Sequence, residues 1–249
     1  MPSLLKSEAV ILDSIRWKES SKIVTMFSRE WGLIKVIARG VYRNKSLFAG
    51  KLESLNRVET IINSRQSRSL QILTEADVID SFNAVRLDLD RLPYAFAILE
   101  LIRQTIQESH TDTVFYDFII ILLEAIKITK KPAIVFCYFL LKLVSFLGFK
   151  PNLNYCQSCQ QNPSSENVYF SMDNGTIYCQ DCAEGAGITR KLKLKEIESL
   201  RILQSYPHRK IAEFEMNTSS IQLLINLMVD YLNYHTENNI TVKSLSMLI

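Results

Sequence analysis

Lys22-Ile-Val-Thr-Met-Phe27 and, after a short turn, Leu33-Ile-Lys-Val-Ile-Ala38 are strand-length runs of mostly apolar residues. Side chains in a strand alternate between faces, so Ile34, Val36 and Ala38 share one side of the second run, and Lys35, Ile37 and Arg39 the other. One face is apolar and the other partly cationic. Three more runs of this texture, at 9–15, 58–62 and 70–73, make five strands in under 80 residues, which predicts a small closed barrel. Between the third and fourth runs lies Arg39-Gly-Val-Tyr-Arg-Asn-Lys-Ser-Leu-Phe-Ala-Gly-Lys51, long for a hairpin turn, and loops of that length are often functional.

From about Asn83 the spacing of apolar residues changes to that of helices. Pro93 suits a first helical turn, and Ala95, Ile98, Ile102 and Ile106 follow at intervals of three and four. Further helices are expected over 114–128 and 132–147, the last ending near Gly148, and over 191–204 and 221–234. Residues 152–187 interrupt this pattern with Asn, Ser, Gly and four cysteines. The expected organisation is therefore α+β and multi-domain: a barrel over 1–80, a helical domain over 81–151 and 188–249, and a cysteine module over 152–187 inserted into it.

Cys156-Gln-Ser-Cys159 and Cys179-Gln-Asp-Cys182 form C-x2-C-x19-C-x2-C, in which each pair presents two thiolates to one tetrahedral ion. Val168 to Met172, Asp173-Asn-Gly175 and Thr176 to Cys179 read as a hairpin that carries the second pair to the first. Four thiolates with no nearby His make a closed site, so one structural Zn2+ in a zinc-ribbon-like module is expected. Iron-sulfur ligation uses the same ligands, whereas stable disulfides do not suit a cytoplasmic chain. Cys137, inside an apolar helix, reads as a small buried hydrophobe.

No catalytic constellation emerges, so no enzyme is expected. His110, His208 and His235 are not arranged as ligands or bases, and His235-Thr-Glu237 lacks the context of a zinc deaminase. Gly50-Lys51 is not a Walker A loop, and no GxGxxG exists. Acid pairs such as Asp88 with Asp90, or Glu196 with Glu198, read as solvated helix positions. The start MPSLLKSEAV has no signal-peptide pattern and no 18-residue apolar run occurs, so a cytoplasmic protein without a membrane role is expected.

Net charge is only +3, yet residues 1–70 carry +7 and residues 71–249 carry −4. From Glu75 to Glu124 ten acids face three arginines. The positive charge centres on Arg16, Lys18, Lys22, Arg29, Lys35, Arg39, Arg43, Lys45 and Lys51, with Tyr42 and Phe48 interleaved. Cations that neutralise phosphates and aromatic rings that stack on bases are the two ingredients of single-strand binding. The competing reading is a solvated basic face with Tyr42 and Phe48 packed inward. Trp17 and Trp31 are expected in the core.

Glu19-Ser-Ser-Lys-Ile-Val-Thr-Met-Phe-Ser-Arg-Glu-Trp-Gly32, Ala38-Arg-Gly-Val-Tyr-Arg43, Leu73-Thr-Glu-Ala-Asp77, Leu147-Gly-Phe-Lys-Pro151 and Tyr169-Phe-Ser171 run in order along the chain. In these stretches it resembles the bacterial recombination mediator RecO family. The resemblance implies an N-terminal OB-fold, a helical domain and a four-cysteine zinc module. It also implies a cytoplasmic, nucleoid-associated protein that binds single- and double-stranded DNA, anneals complementary strands and, with RecR, loads RecA on DNA covered by single-stranded-DNA-binding protein. Residue by residue, it places zinc on Cys156, Cys159, Cys179 and Cys182, and DNA on Lys22, Arg29, Lys35, Arg39, Arg43 and Lys45. Some family members take up the acidic tail of single-stranded-DNA-binding protein, for which the acid-free stretch with Lys127, Lys130, Lys131 and Lys142 is the candidate. The alternative is a zinc-stabilised adaptor whose basic barrel contacts an acidic protein.

Overall fold

The computed structural model describes residues 3–65, 70–108, 110–236 and 240–248. Its first five strands are β1 (Ser3–Trp17), β2 (Ser21–Ser28), β3 (Gly32–Ala38), β4 (Arg57–Ser64) and β5 (Gln71–Asp80), closed in the order β1-β2-β3-β5-β4. Closure depends on the length of β1. Its second half pairs with β2 and its first half with β4, and a register shift between Ile11 and Asp13 marks an irregularity of the kind that bends a strand. β3 and β5 complete the ring as a parallel pair, with Ile37 opposite Ile72. This is the OB-fold arrangement.

The barrel interior is filled by Ala9, Ile11, Val24, Met26, Val36, Val58 and Ile62, as strand alternation requires. The 39–56 connection is not a free loop. Successive turns, in which Arg43 N–H donates to the Gly40 carbonyl and Ser46 N–H to the Arg43 carbonyl, fold it back on the barrel. Phe48 and Leu52 then join the barrel core.

Contacts divide the chain into two compact units, Met1–Lys127 with Val242–Ile249, and Ile128–Thr241. In the first, α1 (Asn83–Arg86), α2 (Leu92–Thr105) and most of α3 (Thr113–Ile128) accompany the barrel. Phe27 points away from the barrel interior onto α3, where its ring lies 6.0 Å from Phe115 and 5.8 Å from Tyr116. The chain end returns to α2: Ser244 is buried and donates its hydroxyl (2.9 Å) and N–H (3.3 Å) to the Glu100 carboxylate.

In the second unit, α4 (Pro132–Phe146) is buried along most of its length and packs on α6 (Ile221–His235). A sheet of β6 (Asn152–Cys156), β7 (Asn167–Ser171), β8 (Thr176–Cys179) and β9 (Thr189–Lys193) has the order β6-β8-β7-β9, and α5 (Leu194–Ser205) follows it. Phe170 of β7 meets Tyr231 of α6 edge to face at 5.2 Å, which seats the sheet on the helices. No helix among the described residues is long and apolar enough to cross a membrane.

Three sequence expectations are corrected. Residues 191–193 are not the start of a helix but the end of β9, because Leu192 alternates with its neighbours and pairs with Val168. Glu196 is not a solvated acid. It is buried at the start of α5, where it accepts the Lys193 N–H at 2.8 Å and the Ser220 hydroxyl at 2.9 Å. Trp17 and Trp31 are 42% and 37% exposed, since one ends β1 and the other lies in the β2–β3 turn, both beyond the interior.

Candidate metal centre and nucleic-acid interface

The hairpin of β7 and β8 brings the two cysteine pairs together. Tyr169 faces Tyr178 and Val168 faces Cys179, so the second pair begins where the strand ends. β6 runs parallel to β8, with Cys156 opposite Ile177. The first pair is wound into a tight turn: Gln160 N–H donates to the Cys156 carbonyl at 2.9 Å, and Gln160 itself takes φ 60. The second pair turns through a short 3-10 helix, Gln180–Cys182.

All four sulfurs lie within 4.8 Å of one another, and the Cys159 and Cys179 sulfurs are 3.9 Å apart. Sulfurs at ~2.3 Å from a tetrahedral ion would stand about 3.8 Å apart, so the cluster can hold one metal ion and fits a four-thiolate site. Burial acts to raise the Cys156 thiol pKa, but backbone N–H groups of Cys159, Cys179 and Ser158 directed at its sulfur bring it down to about 6. Such a thiol is poised to be a thiolate ligand. Among the described residues no other group of three His, Cys, Asp or Glu side chains is arranged to hold a metal. His235 stacks on Phe149 at 4.6 Å, and Glu237 of the His-Thr-Glu motif lies outside the described residues. Cys137 is fully buried, which pushes its thiol up to about 12 and leaves it a core residue.

The nine cations of residues 16–51 fall into two sets. Arg29 holds Asp117 of α3 through two hydrogen bonds of 2.8 and 2.9 Å, and Lys35 holds Glu108 at 2.5 Å. Lys22 pairs with Glu53 at 3.2 Å, and Lys51 with Asp77 at 2.8 Å. Thus three acids of the 75–124 segment already neutralise barrel cations. Lys35 also lines a cleft of about 500 Å³ on the outer face of β1–β3, beside Ile15 and Ile23 and closed on one side by Arg103 and Glu108.

The second set has no carboxylate partner among the described residues: Arg16, Lys18, Arg39, Arg43 and Lys45. It gathers at one end of the barrel. Tyr42 N–H donates to the Ser20 carbonyl at 3.4 Å, tying the 39–51 connection to the β1–β2 turn. Arg16 stands over the Tyr42 ring at 5.0 Å and Lys22 at 5.9 Å. The two aromatics of this connection separate: Tyr42 is 47% exposed, whereas Phe48 is 6% exposed and part of the core. Lys18 and Lys45 take φ 56 and φ 61, left-handed conformations that cost a side-chain-bearing residue about 1 kcal/mol.

The four lysines proposed for a protein tail are differently placed. Lys127 is held by Asp80 at 2.6 Å, Lys131 by Glu215, and Lys142 donates to the Gln204 carbonyl at 2.8 Å. Lys130 is exposed.

Comparison with known proteins covers the same ground. A family model described as "Recombination protein O N terminal" matches residues 1–82, and one described as "Recombination protein O C terminal" matches residues 86–245. A DNA repair protein RecO of Prosthecochloris aestuarii is 27% identical over 251 residues, spanning 97% of this chain and 95% of that protein. The protein of the same name from Caldanaerobacter subterraneus subsp. tengcongensis is 27% identical over 245 residues, with 98% and 97% covered, and that of Exiguobacterium sibiricum 28% over 231 residues, with 93% and 91% covered.

Proposed function

Since the chain belongs to the RecO family of DNA repair proteins, we propose that it is a recombination mediator whose barrel binds single- and double-stranded DNA at the end marked by Arg39, Tyr42, Arg43 and Lys45. The observation that carries this reading is the separation of barrel cations into a paired set and an unpaired set grouped around one exposed ring. A cation already held by a carboxylate gains little from a phosphate, whereas an unpaired one displaces the counterions of DNA.

Annealing needs no covalent chemistry, and the protein is read as a mediator without an active site. Base pairing supplies the driving energy. The cations lower the repulsion between two phosphate backbones, and Tyr42 offers a face on which a base stacks without being read. In the cytoplasm, at the nucleoid, such a protein would act with RecR to load RecA on DNA covered by single-stranded-DNA-binding protein. For the acidic tail of that last protein, the set Lys127, Lys130, Lys131 and Lys142 is a weaker candidate than the sequence suggested, because three of the four already have partners. The four-cysteine cluster is read as a structural Zn2+ site on Cys156, Cys159, Cys179 and Cys182, which holds the sheet together and leaves no coordination position open.

The test is the salt dependence of binding to a single-stranded oligonucleotide. Removing three phosphate contacts, in a combined Arg39→Ala, Arg43→Ala and Lys45→Ala variant, should lower the slope of log K against log salt by about 2. Arg29→Ala with Lys35→Ala should change it far less. An unchanged slope in the first variant would refute the placement, and negligible retention of any oligonucleotide by the unaltered chain would favour the adaptor reading.

A further inference from the structure

On a five-stranded barrel of this kind the outer face of the second and third strands is the usual bed of an oligonucleotide. Here Asp13, Thr25 and Lys35 stand side by side across β1, β2 and β3, and Ile15 and Ile23 form the next row. The cleft of about 500 Å³ over these rows is lined by two cations, Lys35 and Arg103, and two acids, Asp13 and Glu108. Their charges cancel. Arg103 holds Asp13 at 2.8 Å, and Lys35 holds Glu108 at 2.5 Å. Arg29, in the turn that leads into β3, is likewise held by both carboxylate oxygens of Asp117.

Backbone packing puts these acids where they are. β5 pairs with β3 only from Val36 to Ala38, so the residues from Gly32 to Lys35 have an edge that β5 does not reach. Glu108 occupies part of it, bridged in parallel to Leu33. Gly32 takes φ 63 beneath the His110 carbonyl, where a Cβ would have no room. The stretch between α2 and α3 is thus seated on β3. Next to it, Phe27 packs on Phe115 and Tyr116, the two residues before Asp117, which brings that carboxylate to Arg29.

We propose that Glu108 and Asp117 are an internal competitor of DNA: their carboxylates take the phosphate positions of Lys35 and Arg29, close the β2–β3 face to a strand and confine binding to the end of the barrel. This autoinhibitory contact rests on the DNA-binding reading given above. The chemical match is direct, since a guanidinium forks onto a carboxylate through the same two parallel hydrogen bonds that it offers a phosphate. Both pairs are about half exposed, and an exposed pair is worth at most about 1 kcal/mol, so the mask governs DNA affinity far more than it governs the fold. It also suits annealing. A protein that pairs two strands has to let the product go, and fewer phosphate contacts mean weaker retention.

Glu108→Gln with Asp117→Asn removes the two charges and keeps the side-chain shapes. Salt titration of single-stranded oligonucleotide binding by the full chain should then give a slope of log K against log salt that is steeper by about 1.4, for two added phosphate contacts at about 0.7 each. A gain of this kind cannot come from unfolding. Adding Arg29→Ala with Lys35→Ala to the variant should return the slope to that of the unaltered chain. Glu198→Gln with Glu213→Gln changes net charge equally at exposed positions of the second unit and should leave the slope as it was. An unchanged slope in Glu108→Gln with Asp117→Asn, an equal gain in the charge-matched control, or a gain that survives Arg29→Ala with Lys35→Ala would overturn the proposal. The mask and the DNA site fail separately. A slope that falls when Arg39, Arg43 and Lys45 are replaced but does not rise when the acids are neutralised removes the mask and leaves the site standing. Retention of oligonucleotide only after the acids are neutralised upholds the mask and refutes the site at the barrel's end, and retention by neither protein refutes both.

Discussion

Tyr42 and Phe48 stand six positions apart in one connection and do opposite work. The sequence shows two aromatic residues among cations and leaves open whether both stack on a ligand or both pack inward. The fold divides them, because the turns that begin at Gly40 bring Phe48 and Leu52 over the end of the barrel and leave Tyr42 outside. Phe48→Ala should therefore cost about 3–5 kcal/mol of stability, the usual range for removing a buried aromatic side chain, with any loss of DNA binding following from unfolding. Tyr42→Ala should leave the urea midpoint nearly unchanged and weaken single-stranded binding by about 1–3 kcal/mol, the range for a base stacked on an aromatic ring. Denaturation and oligonucleotide titration on the two variants check both. A Tyr42 variant that binds normally would show that the ring serves only as a platform for Arg16 and Lys22.

At the scale of elements, the β7–β8 hairpin decides whether the metal centre exists. Gly175 in its turn takes φ 66, and a Cβ there would come within 2.2 Å of the Tyr231 hydroxyl and 3.3 Å of the Pro151 Cα. The Tyr231 hydroxyl is itself engaged, donating to the Phe149 carbonyl at 3.1 Å. Gly175→Ala should thus both strain the turn and push the hairpin off α6, destabilising the unit by about 2 kcal/mol or more. Metal analysis of freshly reduced protein should give one zinc per chain for the unaltered sequence and less for this variant. Full zinc retention in the variant would mean that the cysteine pairs meet without the hairpin's help. This element was readable in advance, since Asp173-Asn-Gly175 between two strand-like runs is a strong turn signal and the cysteine spacing picks out the four thiols that the fold brings together. β9 was not. Thr189-Arg-Lys-Leu-Lys193 runs directly into α5, and leucines two apart fit the edge of a helix as well as a strand until Val168 is seen to pair with Leu192.

For the molecule as a whole, charge is the property that sequence counting described least well. The +7 of residues 1–70 is visible in the sequence, but its pairing depends on which acids the fold carries to the barrel, and periodicity says nothing about that. Arg29 and Asp117 are 88 residues apart, and Lys35 and Glu108 are 73 apart. These contacts have a consequence in acid. Hydrogen bonding and attraction from Arg29 hold the Asp117 carboxyl below its ordinary value. Burial acts to raise the Asp80 carboxyl, yet the Lys127 ammonium and the Phe82 N–H outweigh it and leave this group lowered too. A carboxyl whose pKa is lower folded than unfolded stabilises the fold fully above the unfolded value, near pH 4, and that contribution is lost as pH falls through the folded value. Stability from urea unfolding should accordingly be flat with respect to these groups at neutral pH and fall as the solution is taken below about pH 4. Asp80→Asn with Asp117→Asn lacks both titrating groups, so it should be less stable at neutral pH and show a shallower fall in acid. If the two proteins lose stability in parallel across the acid range, the pairs of Arg29 and Lys127 are not linked to protonation, and the division of barrel cations into a paired and an unpaired set would lose its energetic basis.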